Sequence, residues 1–323
     1  MKARSLPLGI DIGSTRIRVA AVEIGENGAR LKAVAVRDVA SAECFEGAAC
    51  GPQYLATLID EAVAEIGVRE RRCVCALGAP HARLRTVHLP RMTAVERERA
   101  ARFEARRHVE DWADPIAVRL HPLDEGRGIF ALGIARGDAV AARAAAVRRS
   151  RLRLIALDHE SFALGRILSD YEAIVDVGLD RSSVHGFGSG APTTGFAPIG
   201  GAAVTLGIEE ELSLDRQTAE HRKLVLGTVG AGELARTALA SEVAALVHGA
   251  LREKETGSRV ALVGNGARLR GLANDLESAC GTIVEMPAAA VLRGEAYPDD
   301  VVAASAPEWT LAVGLALWGV RAS

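Results

Sequence analysis

From Leu8 the chain alternates apolar and polar positions for the length of a strand, Leu8-Gly9-Ile10-Asp11-Ile12. It breaks at Gly13-Ser14-Thr15 and resumes as a second strand from Ile17 to Val22. Ala29 to Val39 predicts a third strand. The period then lengthens: Leu55, Leu58, Ile59, Ala62, Val63 and Ile66 fall on one face of a helix spanning Gln53 to Ile66. Arg72 to Leu77 is a short apolar strand, which completes a βββαβ unit, and Gly78-Ala79-Pro80 ends it.

From His81 the pattern thins. Leu84 to Leu89 reads as extended, Pro90 breaks it, and a charged helix opens at the capping box Thr93-x-x-Glu96 with a narrow stripe of Val95, Ala100, Phe103 and Val109. Strands at Ala117 to Pro122 and Gly128 to Ala135 follow, then an alanine–arginine helix from Asp138 to Arg149. Together these read as a small α+β insert whose mixed charges form a solvated face.

Arg153 to Asp158 returns to a buried strand, and Glu160 to Ser169 has helical character. The chain then writes AIVDVGLDRSSVHGFG from Ala173, a second strand–turn–strand. A strand from Thr194 to Pro198 runs into Gly200-Gly201, a pair that lets backbone approach a ligand. Helices are predicted at Thr205 to Glu211, Asp215 to Val225 and Gly232 to Arg252. Val260 to Val263 is a strand that enters the loop Gly264-Asn265-Gly266, with a helix beginning near Leu269. A strand, a glycine loop and a helix N-terminus in succession form a general binding place for phosphate or its adjoining sugar. The apolar run Trp309 to Val320 is about half the length needed to cross a bilayer and reads as a core helix packed under the first hairpin.

The chemistry concentrates in the two hairpins. An aspartate between two isoleucines is costly to bury unless it is hydrogen-bonded or faces a cation. Asp11 is placed to hold a magnesium ion, through water, while Gly13, Ser14, Thr15 and Arg16 offer a close backbone, N–H groups and side-chain donors to phosphate oxygens. Taken alone, the segment equally describes a hairpin whose turn uses Gly, Ser and Thr. The second copy changes that balance, because Asp176-Val177-Gly178 repeats the core and is again followed by hydroxyls, Ser182 and Ser183. A repeated unit specifies architecture as well as a turn. Two such hairpins facing each other would pinch a polyphosphate, with Asp11 and Asp176 as the metal's carboxylates. Asp158 or Glu160 would order an attacking water or cap the helix that starts there.

At 323 residues, two lobes are expected. A net charge of −2 gives no electrostatic case for nucleic acid or an anionic membrane. The five cysteines (Cys44, Cys50, Cys73, Cys75, Cys280) are odd in number and scattered, which fits a reduced, cytoplasmic setting better than a disulfide framework or a metal knuckle.

The order of these pieces resembles the actin–Hsp70–hexokinase superfamily. Asp11 to Thr15 is similar to its first phosphate motif, Asp176 to Ser183 to its second, and Gly264-Asn265-Gly266-Ala267-Arg268 to its adenosine motif. The resemblance is closest to the type IV pilus assembly protein PilM family. It rests on the Leu89-Pro90 segment followed by Glu96, Ala100, Glu104 and Ala105, and on Asp158 through Leu164. It rests also on Ile199-Gly200-Gly201, on Ala219-Glu220-His221-Arg222-Lys223, and on Ala312 through Leu317. The implied fold is α/β: a two-lobed actin-like, ribonuclease H-like fold with an α+β subdomain insertion of the kind found in FtsA and PilM. Residues 1–80 and 152–171, completed by 308–323, would form the first lobe, 81–151 the insert, and 172–307 the second lobe.

The resemblance implies ATP with Mg2+ as ligands. Asp11, Asp176 and Glu160 would be the catalytic carboxylates. Gly13, Ser14, Thr15, Arg16, Gly178, Ser182, Gly200, Gly201, Glu220, Lys223, Gly264, Gly266 and Arg268 would line the nucleotide, with Arg268 against the base. Three departures point to binding and at most slow hydrolysis: Asn265 inside the glycine loop, Asp180 in the second turn, and Ala244-Ala245 where relatives keep an arginine. The implied role is a cytoplasmic scaffold of pilus or type II-like secretion assembly, peripheral at the inner face of the cytoplasmic membrane. It would hold the short cytoplasmic tail of a bitopic, PilN-like protein and has the option of self-association. An FtsA- or MreB-like filament-forming ATPase and a small-molecule kinase are the alternatives; for the kinase, no sugar- or acid-binding loop is evident.

Overall fold

A computed structural model describes residues 4–26, 28–39, 51–112, 115–251, 258–287 and 307–320. Three sheets organise it. The first has six strands: β1 (Arg4–Ser5), β2 (Leu8–Ile12), β3 (Arg16–Gly25), β4 (Gly28–Asp38), β5 (Arg72–Leu77) and β9 (Arg153–His159). Their order is β1-β3-β2-β5-β9, with β4 also on β3. The third, numbered below from β10, has five strands: β10 (Ala173–Val177), β11 (Ser182–Gly186), β12 (Thr193–Ala197), β13 (Arg259–Val263) and β14 (Ile283–Glu285), in the order β12-β11-β10-β13-β14. Between them in sequence lies a three-stranded sheet of β6 (Ala82–His88), β7 (Ile116–Asp124) and β8 (Ile129–Arg136), ordered β6-β8-β7.

Each large sheet carries the same device. β2 and β3 form an antiparallel hairpin in which Asp11 pairs with Arg18, and β2 runs parallel to β5, which runs parallel to β9. β10 and β11 form the second hairpin, with Asp176 opposite Ser183, and β10 runs parallel to β13. A strand flanked on both sides and covered on both faces must be apolar throughout. Cys73, Val74 and Cys75 at 0% exposure show why the cysteines of β5 read as strand positions. Those two and Cys280 are free and buried, whereas Cys44 and Cys50 lie outside the described residues.

The helices are α1 (Pro52–Ile66), α2 (Ala94–His108), α3 (Gly137–Arg149), α4 (Glu160–Gly165), α5 (Gly201–Leu212), α6 (Arg216–Leu226), α7 (Glu233–Ala250), α8 (Leu272–Cys280) and α9 (Thr310–Ala316). Helix α1 starts on Pro52 and stops at the left-handed Gly67, as proline-in, glycine-out punctuation requires. Helix α2 opens on the expected capping box, with the Thr93 hydroxyl accepting from the Glu96 N–H and the Glu96 carboxylate accepting from the Thr93 N–H. Helix α9 is shorter than the apolar run suggested, because Leu317 ends it and the left-handed Gly319 turns the chain. Helix α4 likewise stops at Gly165, where a side chain would meet the Phe187 ring at 2.7 Å. No helix forms at Leu269. A 3-10 turn at Asn265–Arg268 precedes α8, which begins after the left-handed Gly271.

Helices α4 and α9 lie between the two large sheets. Their buried side chains share one core with Ala20, Val22 and Val74 of the first sheet and Ile174, Ala261 and Val263 of the third. Two glycines permit the approach. A Cβ on Gly9 would stand 1.9 Å from the Ala312 carbonyl oxygen, and one on Gly314 would stand 2.0 Å from that of Ala163. The core helix therefore does pack under the first hairpin.

Candidate functional site

The carboxyl ends of parallel strands are where open α/β sheets bind ligands. Asp11 lies one residue from the end of β2, Glu160 directly after β9, Asp176 one residue from the end of β10, and Gly264 directly after β13. The two hairpin turns are built alike. The Gly13 N–H donates to the Arg16 carbonyl at 2.9 Å, and the Gly178 N–H donates to the Arg181 carbonyl at 2.9 Å. The shared sequence is Asp-x-Gly-x-x-Arg, Asp11 to Arg16 and Asp176 to Arg181. The repeated arginine is a signal that the sequence reading passed over.

The charges of the two turns act on one another. Burial first, and then the charges of Glu160 and Asp11, push the Asp176 carboxyl up to about 7. Burial also raises Asp11, against the pull of Arg18, Arg181 and Arg143. Glu160 is raised by burial, which Arg181 opposes and Asp11 reinforces. Charges felt this strongly belong to near neighbours. Asp11 is ion-paired with Arg18 at 3.5 Å, and Glu160 with Arg181 at 3.2 Å. Asp176 has no ion pair among the described residues.

The remaining expected residues divide. Gly264 and Gly266 press on the second hairpin: a Cβ on Gly264 would stand 2.1 Å from Asp176 Oδ1, and one on Gly266 would stand 2.3 Å from Val177 Cγ1. Gly200 and Gly201 abut the same turn. The Gly201 N–H donates to the Gly178 carbonyl at 3.0 Å, and a Cβ on Gly200 would stand 2.6 Å from that oxygen. Lys223 reaches back from α6 to the Gly201 carbonyl at 2.9 Å, Thr205 Oγ1 at 2.7 Å and Glu220 Oε2 at 2.7 Å, which ties Glu220 and Lys223 to the glycine pair. Ser14 and Thr15 lie half-buried in the first turn.

Three side chains face elsewhere. Ser182 is fully buried, and its hydroxyl donates to the Ile199 carbonyl at 2.8 Å, so it braces the hairpin from behind. Arg16 pairs with Asp38 at 3.0 Å, and Arg268 with Glu308 at 2.8 Å. The helix-cap reading of Asp158 and Glu160 is corrected. His159 caps α4, its ring nitrogen accepting from the Ser161 N–H at 3.2 Å, and Asp158 pairs instead with Arg166 at 2.6 Å. Glu160 fills the space over Gly78, where a Cβ would stand 1.8 Å from its Oε2.

Scans against protein-family models and curated proteins give no match. Among solved structures, the chain is similar to one described as "PilM-PilN type IV pilus biogenesis complex", with a TM-score of 0.83 and 26% identity, covering 98% of this chain and 99% of that chain. The chain therefore resembles PilM over nearly its whole length and has the actin-like ATPase fold. The ethanolamine utilization protein EutJ from Carboxydothermus hydrogenoformans shares the fold at a TM-score of 0.63 and 16% identity, covering 98% of this chain and 90% of that one. Among the described residues, no helix is long and apolar enough to cross a membrane.

The donor chemistry suits a divalent cation. Buried Glu160 and half-buried Asp11 and Asp176 repel one another, Asp176 has no ion pair among the described residues, and hard oxygen donors are what magnesium takes. Among the described residues, no three carboxylate or histidine groups converge closely enough to grip an ion directly. Magnesium commonly keeps several waters, and a water-mediated hold is the one kind that Asp11 and Asp176 would offer.

Proposed function

We propose that this PilM-like chain binds ATP with Mg2+ between its two Asp-x-Gly hairpins and acts as a scaffold in type IV pilus or related secretion assembly. The observation that carries the nucleotide reading is the placement of Asp11, Glu160 and Asp176 at the carboxyl ends of strands in two sheets, where their charges act on one another. Bound magnesium would supply charge neutralisation for phosphate oxygens. Asp11 and Asp176 orient it, while the Gly13 and Gly178 turns let backbone close on the phosphates. Gly200, Gly201, Glu220, Lys223, Gly264 and Gly266 form the nucleoside wall. Glu160, held by Arg181, is the one carboxylate free of the metal and is the group to order water. With that charge engaged by arginine, hydrolysis is slow at most.

The likeness to a PilM–PilN complex supports a partner of PilN type, reached through a short cytoplasmic peptide, which would bring the chain to the inner face of the cytoplasmic membrane. A groove between α2 and the open edge strand β7, lined by Arg102, Phe103, Arg106, Pro115, Ile116 and Val118, suits an extended peptide added to the sheet. In this reading residues 81–151 form the insert that presents the groove.

Titration of ATP and ADP into the purified chain, followed by thermal stability, tests the nucleotide reading. Wild type should be stabilised, and Asp11→Ala and Gly178→Asp should not. No shift in wild type with either nucleotide would end it. Sedimentation with and without ATP separates a scaffold from a filament, since pelleting only with ATP would favour the filament.

A further inference from the structure

Helix α3 joins the insert to the first lobe. It begins where the Gly137 N–H donates to the Pro115 carbonyl at 2.8 Å, and it ends with Ala146 and Val147 buried against Ile59, Ala62 and Val63 of α1. Midway along it stands Arg143, half-buried. Its guanidinium lies in the fields of Asp11, Glu160 and Arg181 and of Cys75 on β5. Yet its Nε is buried with no hydrogen-bond partner among the described residues. The nearby carboxylates are already engaged, Asp11 by Arg18 and Glu160 by Arg181. The neighbouring His81, held down near 4 by burial and then by Arg143 and Arg181, offers no negative charge.

A guanidinium does not shed its proton, so one whose Nε is buried without a partner is served by an anion brought to it. Its planar fork matches two oxygens of a phosphate. A residue kept only to balance the three carboxylates would sit on one of them, as Arg18 and Arg181 do. Arg143 sits on none.

We propose that Arg143 is a ligand for the terminal phosphate of the bound nucleotide, a contact made by the helix that leaves the insert. The proposal rests on the nucleotide reading above. It gives the insert a direct means of distinguishing a triphosphate from a diphosphate, because only the longer chain reaches α3.

The test is calorimetric titration of the full-length chain with magnesium and either ADP or a non-hydrolysable ATP analogue, in wild type, Arg143→Met and Arg143→Lys. Wild type should prefer the triphosphate. Arg143→Met should weaken it by tenfold or more while leaving ADP within about twofold, and Arg143→Lys should lie between. Amide exchange in α3 should slow with the triphosphate in wild type and not in Arg143→Met. An unchanged circular dichroism spectrum together with retained ADP binding guards against misfolding of the methionine variant. Equal weakening of both nucleotides, or an unchanged preference with unchanged exchange, would overturn the assignment while sparing the nucleotide site. Failure of wild type to bind either nucleotide would remove the site and the assignment together.

Discussion

Asp176→Asn separates charge from shape at the centre of the cleft. Asparagine keeps the side chain that packs against Gly264, but it carries no charge. The Asp176 carboxyl is moved from 3.8 to about 7, chiefly by burial and then by Glu160 and Asp11. At 1.36 kcal/mol per pH unit, that displacement corresponds to about 4 kcal/mol. The sign follows from a folded-state value above the unfolded one. The native state holds a proton that the unfolded chain has released, so stability is greatest below about pH 4, falls as pH rises, and levels off above about 7. The asparagine variant escapes this loss. Without nucleotide and in EDTA, its advantage over wild type should grow from near zero at pH 4 to about 4 kcal/mol at pH 8. Urea denaturation across that range reads the difference directly. A constant difference between the two proteins at all pH values would refute the claim that Asp176 is buried beside two other carboxylates. Above pH 7, magnesium with ATP should recover wild-type stability and leave the variant behind.

Gly9→Val places a Cβ against the Ala312 carbonyl, an atom that cannot swing aside, and should cost about 3 kcal/mol or more by chemical denaturation; a loss under about 1 kcal/mol would contradict the packing of α9 on β2. Thr93→Ala removes half of the capping box and should lower stability by about 1 kcal/mol, with faster amide exchange confined to the first turns of α2. Lys223→Met strands the acceptors at Gly201, Thr205 and Glu220, so stability should drop by about 2 kcal/mol, and a neutral result would show that water replaces them.

The fold and the hairpins were legible because their signals are local. Asp-x-Gly between apolar residues marks a strand end, and two copies mark two sheets. The same holds for the capping box at Thr93 and for the periodic face of α1. What the sequence hid was long-range. Arg18 lies opposite Asp11 only because the turn between them fixes the register, a relation that can be worked out once the hairpin is accepted. Arg143 looks like any arginine of an alanine–arginine helix, and nothing in its neighbours separates it from the exposed Arg148 and Arg149. Its distinction comes from the distant Asp11 and Glu160, whose charges act on it, and from the burial of its Nε without a partner among the described residues. The cap at His159 was missed for a similar reason, since a histidine ring is an uncommon helix cap and two better-known carboxylates flank it.

The seating of α9 on Gly9 has a consequence for how the protein is made. The strand bearing Asp11 leaves the ribosome roughly 300 residues before the helix that seals its inner face. Until then β2 has an open flank, and the first turn has nothing to hold its depth. Nascent chains arrested before residue 310 should therefore be recognised by chaperones and fail to retain nucleotide, however well their hairpins have formed. The first hairpin is in this sense finished by a segment made long after it.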